Sequence, residues 1–343
     1  MIEILDILSL EYEQLKTSLA ELGEKSFRAG QIYEWLHKKR VTSFDEMTNL
    51  SLSLREKLSQ SFEIKRLKAV RILKSAVDGT VKFLFELPDG NHIETVLMSY
   101  EHGDSLCVST QVGCKMGCKF CASTIAGFKR SLEASEILSQ LYEAERQTGR
   151  KVSSIVLMGI GEPLDNFDNV VKFLRILSSE NGTNMSLRHV SLSTCGLVDK
   201  IYELEKLNLG LTLSISLHAT NNKKRSELMP VNNKYSIEEL MAACYSYFNT
   251  TGRRISFEYA LIDSENDTKE DAKALAKLVG KMPSHINIIP VNKIKERNYT
   301  SSRASAQRFC KLLAEYGINA TVRRTLGEDI NAACGQLRRE YEI

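Results

Sequence analysis

The sequence lacks any stretch that could cross a membrane, since no apolar run approaches the roughly 18 residues that span a bilayer. Its first residues, Met1 to Asp6, include acids where a secretory signal would carry lysine or arginine. A strong charge imbalance is also absent, because 46 basic residues face 43 acidic ones for a net charge of +3. Composition therefore does not indicate nucleic-acid binding, and an RNA site must be a local patch. We expect a globular, monomeric protein in the cytoplasm, without a membrane partner.

A disulfide framework is not expected either. Eight cysteines in a cytosolic chain favour metal or redox chemistry, because cytosolic thiols are kept reduced. Cys244 and Cys310 lie on helical patterns and are predicted to be ordinary apolar cysteines. Three others, Cys114, Cys118 and Cys121, fall within eight consecutive residues.

These three cysteines have the spacing C-x3-C-x2-C. An electron-transfer cluster normally has four cysteine ligands, so three suggest a [4Fe–4S] cluster with one iron open to another ligand. The spacing, with Phe120 before the last cysteine, resembles the signature of the radical S-adenosylmethionine enzymes. In that superfamily the open iron binds S-adenosylmethionine, whose reductive cleavage releases a 5′-deoxyadenosyl radical. The alternative is a three-cysteine zinc site completed by a distant histidine.

The chain divides into three predicted regions. Helix-period apolar residues and cap signals predict a small helical domain at 1–65, interpreted as an RNA-binding accessory domain. Short apolar runs separated by Asp-Gly and Gly-Asp turns predict an antiparallel β extension at 66–104. Strands alternate with helices in the third region, 105–343, which is predicted to be a radical S-adenosylmethionine core.

Six parallel strands with helical crossovers predict an α/β fold, a partial (β/α)6 barrel of the TIM-like type. The predicted strands are Leu106–Ser109, Ser154–Met158, Val190–Thr194, Leu211–Leu217, Ile255–Leu261 and Ile286–Val291. The intervening helices are predicted to begin near Ser135, Asn166, Leu197, Ser236 and Thr268, with Ser135 as the N-cap of the first. In such a barrel the chemistry gathers at the carboxyl ends of the strands.

Polar motifs follow five of these strands. They are the cysteine loop, Met158-Gly-Ile-Gly-Glu-Pro163, Ser193-Thr-Cys-Gly196, Ser214-Ile-Ser-Leu-His218 and Ile289-Pro-Val-Asn292. Each alone has an ordinary interpretation, since Gly-Glu-Pro is commonly a turn, Ser193 could cap a helix and His218 could be a core histidine. Together, at one edge of a sheet, they indicate a single ligand site.

Longer segments resemble the RlmN/Cfr family of radical S-adenosylmethionine RNA methyltransferases. They include Leu106-Cys-Val-Ser-Thr-Gln-Val-Gly-Cys114, Gly127-Phe-Lys-Arg-Ser-Leu132, Ser216-Leu-His-Ala219, Leu228-Met-Pro-Val-Asn232 and Asp329-Ile-Asn-Ala-Ala-Cys-Gly-Gln-Leu337. The last segment is a second signature, which most radical enzymes lack. The resemblance extends from the N-terminal helices to the last ten residues.

The resemblance implies a role for individual residues. The [4Fe–4S] cluster would be bound by Cys114, Cys118 and Cys121. S-adenosylmethionine would contact Gly161, Glu162, Ser193, Ser216, Leu217, His218 and Asn292. Cys334 would carry an S-methyl intermediate, Cys107 would form a transient disulfide with it, and Glu94 would be the acid/base.

The implied reaction is methylation of carbon 2 of adenine 2503 in 23S rRNA, and of an adenine beside the anticodon in certain tRNAs. That carbon lies between two ring nitrogens and is too poor a nucleophile to attack a sulfonium methyl group. The family therefore uses a ping-pong mechanism, in which one S-adenosylmethionine methylates Cys334 and a second generates the radical. A flavodoxin-type electron donor is expected.

Three other functions remain open from the sequence. The first is methylation of carbon 8 of the same adenine, as in the Cfr antibiotic-resistance enzymes, although Val112 and the run from Gly161 to Asn166 favour carbon 2. The second is a glycyl-radical activase, which needs no equivalent of Cys334. The third is a non-enzymatic RNA-binding assembly factor with a structural metal.

RNA contacts are expected from short basic patches, each of which could instead be a solvated face. The patches are Lys38–Arg40, Lys65-Arg66 with Lys68, Lys129-Arg130, Lys223-Lys224-Arg225 and Arg323-Arg324. The target base would be extruded, because a stacked adenine cannot enter a closed pocket.

Overall fold

In a computed structural model of the chain, the described residues are 4–280, 282–291, 299–332 and 336–337. The α-helices in this part of the chain are α1 (Tyr12–Glu21), α2 (Arg28–Glu34), α3 (Leu52–Ser61), α4 (Ala134–Thr148), α5 (Phe167–Ser178), α6 (Val198–Leu207), α7 (Asn222–Leu228), α8 (Ile237–Thr251), α9 (Lys269–Val279) and α10 (Arg303–Glu315). No helix among the described residues is long and apolar enough to cross a membrane.

The β-strands are short and alternate with these helices after α4. They are β1 (Leu5–Asp6), β2 (Phe62–Glu63), β3 (Lys68–Lys74), β4 (Val81–Glu86), β5 (His92–Tyr100), β6 (Gly103–Cys107), β7 (Gln111–Val112), β8 (Arg130–Ser131), β9 (Val152–Leu157), β10 (Val190–Thr194), β11 (Thr212–Ser216), β12 (Ile255–Leu261), β13 (Ser284–Pro290) and β14 (Ala320–Val322).

One ten-stranded sheet organises the molecule, in the order β14-β13-β12-β11-β10-β9-β6-β5-β4-β3. The neighbours from β6 to β14 are parallel, whereas β3 to β6 pair as an antiparallel meander. The predicted α/β fold class, with its partial barrel, helical N-terminal part and antiparallel extension, is confirmed. The meander shares strand β6 with the parallel part, so the strands of the extension and of the barrel belong to one continuous sheet.

The structure adds a seventh parallel strand, β14, which pairs with β13 through Ile286 and Ala320. This strand could not be predicted from the sequence, because a three-residue strand is too short to show an alternating pattern. The prediction of Ser135 as an N-cap is wrong. Helix α4 begins one residue earlier, and its N-cap Glu133 forms a capping box with Glu136.

The hydrophobic core runs through all of these parts without interruption. Leu15 and Leu54 of the N-terminal helices belong to the same buried cluster as Phe173 on α5 and Phe257 on β12. The buried His37 also bonds to Tyr142 on α4, with Nδ1 2.9 Å from the hydroxyl oxygen. The division into three domains, with boundaries at 65 and 104, stays a prediction.

Candidate active site

The cysteine loop is fixed at its base by the short antiparallel pair of β7 and β8. Gly113 lies between this pair and the first cysteine, with φ of 77°, and a Cβ there would come within 1.7 Å of the Gly127 carbonyl oxygen. Within the loop, the Thr124 hydroxyl donates to the carbonyl oxygens of Cys121 at 2.9 Å and Cys118 at 3.3 Å. The loop is therefore closed at its base by β7 and β8 and held internally by Thr124.

All three loop cysteines line one cleft, whose empty volume is about 1040 Å³. Across the cleft lie residues at or just after the carboxyl ends of successive strands, together with Glu258 from the middle of β12: Gly159, Gly161, Glu162, Ser193, Ser216, His218 and Pro290. The structure thus brings together five of the residues predicted to contact S-adenosylmethionine. Leu217 is instead fully buried in the apolar core, and Asn292 lies outside the described residues.

The loop thiols suit a bound cluster better than a reactive role of their own. Burial raises the pKa of Cys114 to about 12 and raises that of Cys118 well above its ordinary value. Such thiols stay protonated unless a metal centre takes their thiolates. Among the described residues, no group of three or more His, Cys, Asp or Glu side chains is arranged to hold a single metal ion.

Gly161 and Glu162 form the floor of the cleft. Gly161 has φ of 108°, and a Cβ there would lie 2.6 Å from that of Gln111, so only glycine fits this turn. The Glu162 amide donates to Gln111 Oε1 at 2.9 Å, and its carboxylate accepts from the amides of Cys195 at 2.7 Å and Leu164 at 3.0 Å. Burial raises the pKa of Glu162. A cleft carboxylate held in this way suits an ammonium ligand.

His218 is held in one tautomer at the opposite wall. Its Nδ1 accepts from the Ala260 amide at 2.8 Å, which leaves Nε2 as the donor. Burial, with a further contribution from the Arg225 charge, lowers the pKa of His218 to about 3, so the ring is neutral. Phe120 meets the ring edge-on at 4.7 Å. The backbone of His218 has φ of 57°, a left-handed conformation that side chains rarely adopt and that clusters at functional sites.

The structure corrects one of the predicted RNA patches. Arg225 is fully buried, and its guanidinium donates to the carbonyl oxygens of Leu217 at 3.1 Å, Cys195 at 2.7 Å and Ser216 at 3.1 Å. It therefore ties two strand ends together behind the cleft and cannot contact RNA. The sequence placed it beside Lys223 and Lys224 and gave no sign of its inward direction.

Several other patch residues form ion pairs. Arg40 pairs with Glu145, and Arg66 pairs with Glu143. Lys38 and Lys39 stay exposed, and the Lys39 ammonium lies 3.5 Å from the Trp35 ring centroid. The N-terminal patch therefore presents two exposed lysines rather than three free cations.

Sequence reasoning missed Glu258, which lies in the cleft on strand β12. Its Oε1 accepts from Asn287 Nδ2 at 2.9 Å, and Oε2 pairs with Arg323 Nη1 at 3.5 Å. Glu258 is the single charged residue in the wholly buried strand β12. That contrast was a usable signal, because a carboxylate in a buried strand is rare unless it is paired.

A second group of predicted residues lies on the same inner face of the sheet. The register places Val96 directly opposite both Lys82 on β4 and Cys107 on β6. Glu94 is two residues from Val96 on β5 and so faces the same side. Glu94 and Cys107 are both 8% exposed. The structure thus puts these two predicted catalytic residues on one face.

Residues of the C-terminal segment that flank 333–335 pack against this face of the sheet. Ala332 and Leu337 belong to one buried cluster with Val96, Cys107 and Ile160. Leu337 also lines the cleft, and its carbonyl oxygen accepts from the Ser123 hydroxyl at 2.9 Å. Cys334 itself lies outside the described residues.

Comparison with known proteins gives concordant results. A family model described as the ribosomal RNA large subunit methyltransferase N-terminal domain matches residues 5–64, and the radical SAM superfamily model matches residues 108–279. A probable dual-specificity RNA methyltransferase RlmN of Lachnospira eligens is 53% identical over 337 residues, which cover 98% of this chain and 96% of the relative. The chain belongs to the RlmN family.

Other relatives agree. A probable dual-specificity RNA methyltransferase RlmN of Clostridium perfringens strain 13 is 52% identical and covers 98% of this chain and 97% of its own length. A crystal structure of a radical SAM methyltransferase from Sphaerobacter thermophilus superposes with a TM-score of 0.92 at 41% identity, covering 98% of this chain and 100% of that one.

Membership in the RlmN family confirms the predicted enzyme class. The protein is a radical S-adenosylmethionine methyltransferase that uses a [4Fe–4S] cluster and S-adenosylmethionine. Cys114, Cys118 and Cys121 are the residues of the cleft that would hold the cluster, and Gly161, Glu162 and the other strand ends would hold the nucleoside ligand. The activase and the non-enzymatic assembly factor are thereby excluded.

Proposed function

We propose that the enzyme methylates carbon 2 of adenine 2503 in 23S rRNA and, in certain tRNAs, an adenine beside the anticodon. The names of the relatives support an RNA substrate with dual specificity, and the N-terminal family model supports the large ribosomal subunit. The observation that carries the proposal is Leu337, which lines the cleft and also packs in the cluster that contains Cys107. The cofactor cleft and the second group of reactive residues are therefore adjacent.

The chemistry requires a carrier for the methyl group. When bound, the cluster and S-adenosylmethionine supply a 5′-deoxyadenosyl radical. In the proposed mechanism Cys334 first accepts a methyl group as a thiolate nucleophile and so converts an electrophilic methyl into a thioether. Loss of a hydrogen atom from that thioether gives a carbon radical that can add to the electron-poor ring carbon. Cys334 is two residues from both Ala332 and Gln336, whose neighbour Leu337 lines the cleft.

Glu94 and Cys107 act on the resulting covalent adduct. Glu94 would remove the proton at carbon 2 as a general base, since its carboxylate is buried on the inner face two residues from Val96. The odd electron of the adduct would return to the cluster that supplied it. Cys107, as a thiolate, would then attack the sulfur of Cys334 and form a disulfide, and the carbon released from that sulfur would keep the bonding pair and take up a proton to become the methyl group. The packing of Cys107 with Ala332 and Leu337 supports this pairing.

The N-terminal helices would bind RNA architecture, while the cleft takes the extruded base. Lys38 and Lys39 are the exposed cations that best suit a phosphate contact there. A flavodoxin-type electron donor, a monomeric state and a cytoplasmic location stay predictions.

Parallel methylation assays test the proposal. The anaerobically reconstituted enzyme is given 23S rRNA and tRNA transcripts, and digested nucleosides are analysed by mass spectrometry. We expect 2-methyladenine from both RNAs, and no product from Cys334→Ala. Detection of 8-methyladenine instead would establish the Cfr-like alternative, and full product from Cys334→Ala would rule out the ping-pong mechanism.

A further inference from the structure

We propose that Lys82 is a positioning residue that fixes Glu94 and the C-terminal segment relative to each other, and that the β3–β4 turn is the dock for that segment. The inference rests on the proposed function, because it assigns a role in the delivery of the methyl group from Cys334. Lys82 and the β3–β4 turn belong to the antiparallel extension and have no role in the mechanism proposed above.

Lys82 faces Glu94 across the sheet. It lies opposite Val96 on the neighbouring strand, so Glu94 is its diagonal neighbour on the same face. The ammonium nitrogen is 2.9 Å from Glu94 Oε1, and both side chains are 11% exposed. An ion pair so shielded from water is more strongly coupled than an exposed one.

The same ammonium also binds the C-terminal segment. It donates to the carbonyl oxygen of Asn331 at 3.0 Å, three residues before Cys334. A lysine ammonium has three donors, so one side chain can hold the carboxylate and the carbonyl together. Asn331 has φ of 50°, which turns its backbone out of a regular path at this contact. Lys82 thus connects the proposed base with the chain that carries the proposed methyl carrier.

The β3–β4 turn holds the start of the same segment. Asp78 Oδ2 accepts from the Gly327 amide at 2.8 Å, and the Ala76 amide donates to Asp329 Oδ2 at 3.1 Å. Gly327 has φ of 64°, and a Cβ there would lie 2.9 Å from Thr80 Cγ2. Two hydrogen bonds and a close backbone approach therefore anchor the segment independently of Lys82.

These contacts assign two tasks, positioning of the C-terminal segment and action on the covalent adduct. Substitutions can test each task separately. The turn positions the C-terminal segment alone, Glu94 acts on the adduct alone, and Lys82 serves both. Loss of Lys82 should therefore combine two defects: poorer delivery of the methyl group and slower release of the RNA. Loss of a turn contact should give only the first.

The assay follows three quantities in the holoenzyme with an rRNA transcript: 5′-deoxyadenosine formed, methyladenine formed, and covalent enzyme–RNA adduct on denaturing gels. For Lys82→Met we expect methyladenine per 5′-deoxyadenosine to fall at least about tenfold, as for the loss of hydrogen bonds to a charged group. We also expect the adduct to accumulate. Lys82→Arg should recover much of the yield, because it keeps a cation and several donors.

Two variants and one control complete the design. Asp329→Ala, which removes the acceptor of the Ala76 amide, should lower the yield per 5′-deoxyadenosine without accumulation of adduct. Glu94→Gln should accumulate adduct with 5′-deoxyadenosine formation retained. Lys74→Met is the matched control, since it removes an exposed lysine beside the same turn. It should behave as the wild type.

Several outcomes would overturn the inference. Wild-type yield and no adduct in Lys82→Met would show that this lysine has no positioning role. An arginine variant as defective as the methionine variant would refute positioning by charge, and wild-type behaviour of Asp329→Ala would refute the dock. Failure of the wild-type enzyme to form methyladenine would instead refute the proposed function, which separates the two failures.

Discussion

The two ends of the inner sheet face differ in openness and in the side chains that they present. On the parallel strands this face carries small polar side chains and a carboxylate, Ser193, Ser216 and Glu258, around an open cleft. On the meander side an apolar cluster that includes Val96 and Cys107 closes it, beside the Lys82–Glu94 ion pair. Small polar residues leave room and donors for a charged nucleoside ligand, whereas apolar packing shields reactive sulfur from water. In the proposed mechanism, one continuous sheet thus provides a site for radical formation and, beside it, a site for methyl transfer.

We expect the largest effect from the loss of a cluster cysteine. This change acts on the end of the sheet where the radical is formed. Cys118→Ala should reduce 5′-deoxyadenosine formation to background, since the loop would offer the cluster two thiolates. Iron content and 5′-deoxyadenosine, measured by chromatography, test this. Cys310→Ser, on helix α10, should keep both at the wild-type level. Retained cleavage in Cys118→Ala would contradict the assigned ligands.

A substitution at the other end should separate the two activities. Glu94→Gln should still form 5′-deoxyadenosine but release methyladenine about a hundredfold more slowly, a typical effect for loss of a general base. Rapid-quench assays that follow both products from one sample measure the difference. Equal slowing of both products would show that the two ends do not act separately.

Substitution of Arg225 tests the hydrogen bonds that support the strand ends behind the cleft. Arg225→Met should lower the free energy of unfolding by about 3 kcal/mol, because buried carbonyl oxygens of Leu217, Ser216 and Cys195 lose their donor. Arg225→Lys should lose less. Urea denaturation of the anaerobic holoenzyme measures the change, with the exposed Arg254→Met as control. A stability change in Arg225→Met no larger than in the control would contradict the buried clamp.

The smallest expected effect is on RNA affinity, from a substitution in the N-terminal helices, away from both ends of the inner sheet face. Lys39→Ala should weaken RNA binding a few-fold and reduce the salt dependence by about one counterion, as for a single phosphate contact. Filter binding across a salt series measures both, and Lys277→Ala on helix α9 is the control. Equal effects of the two variants would show that this lysine makes no specific contact.

Local sequence patterns accounted for much of the fold and of the cleft. The predicted bounds of β10, Val190–Thr194, and of β12, Ile255–Leu261, agree with the structure. Alternation and cap residues act over a few neighbouring positions, so they can be read directly from the chain. Arg225 shows the limit, because a basic residue in a run of three looked solvated until the fold surrounded it with strand-end carbonyl oxygens.

The sequence by itself determined the three-cysteine loop, the polar strand ends and the fold class, since each depends on spacing within a short segment. Only the tertiary structure decided that Lys82 meets Glu94 and Asn331. Those contacts depend on the register of β4 with β5 and on the return of the chain to this strand, since Asn331 follows Lys82 by 249 positions. Such long-range proximity follows from packing, which no local pattern encodes.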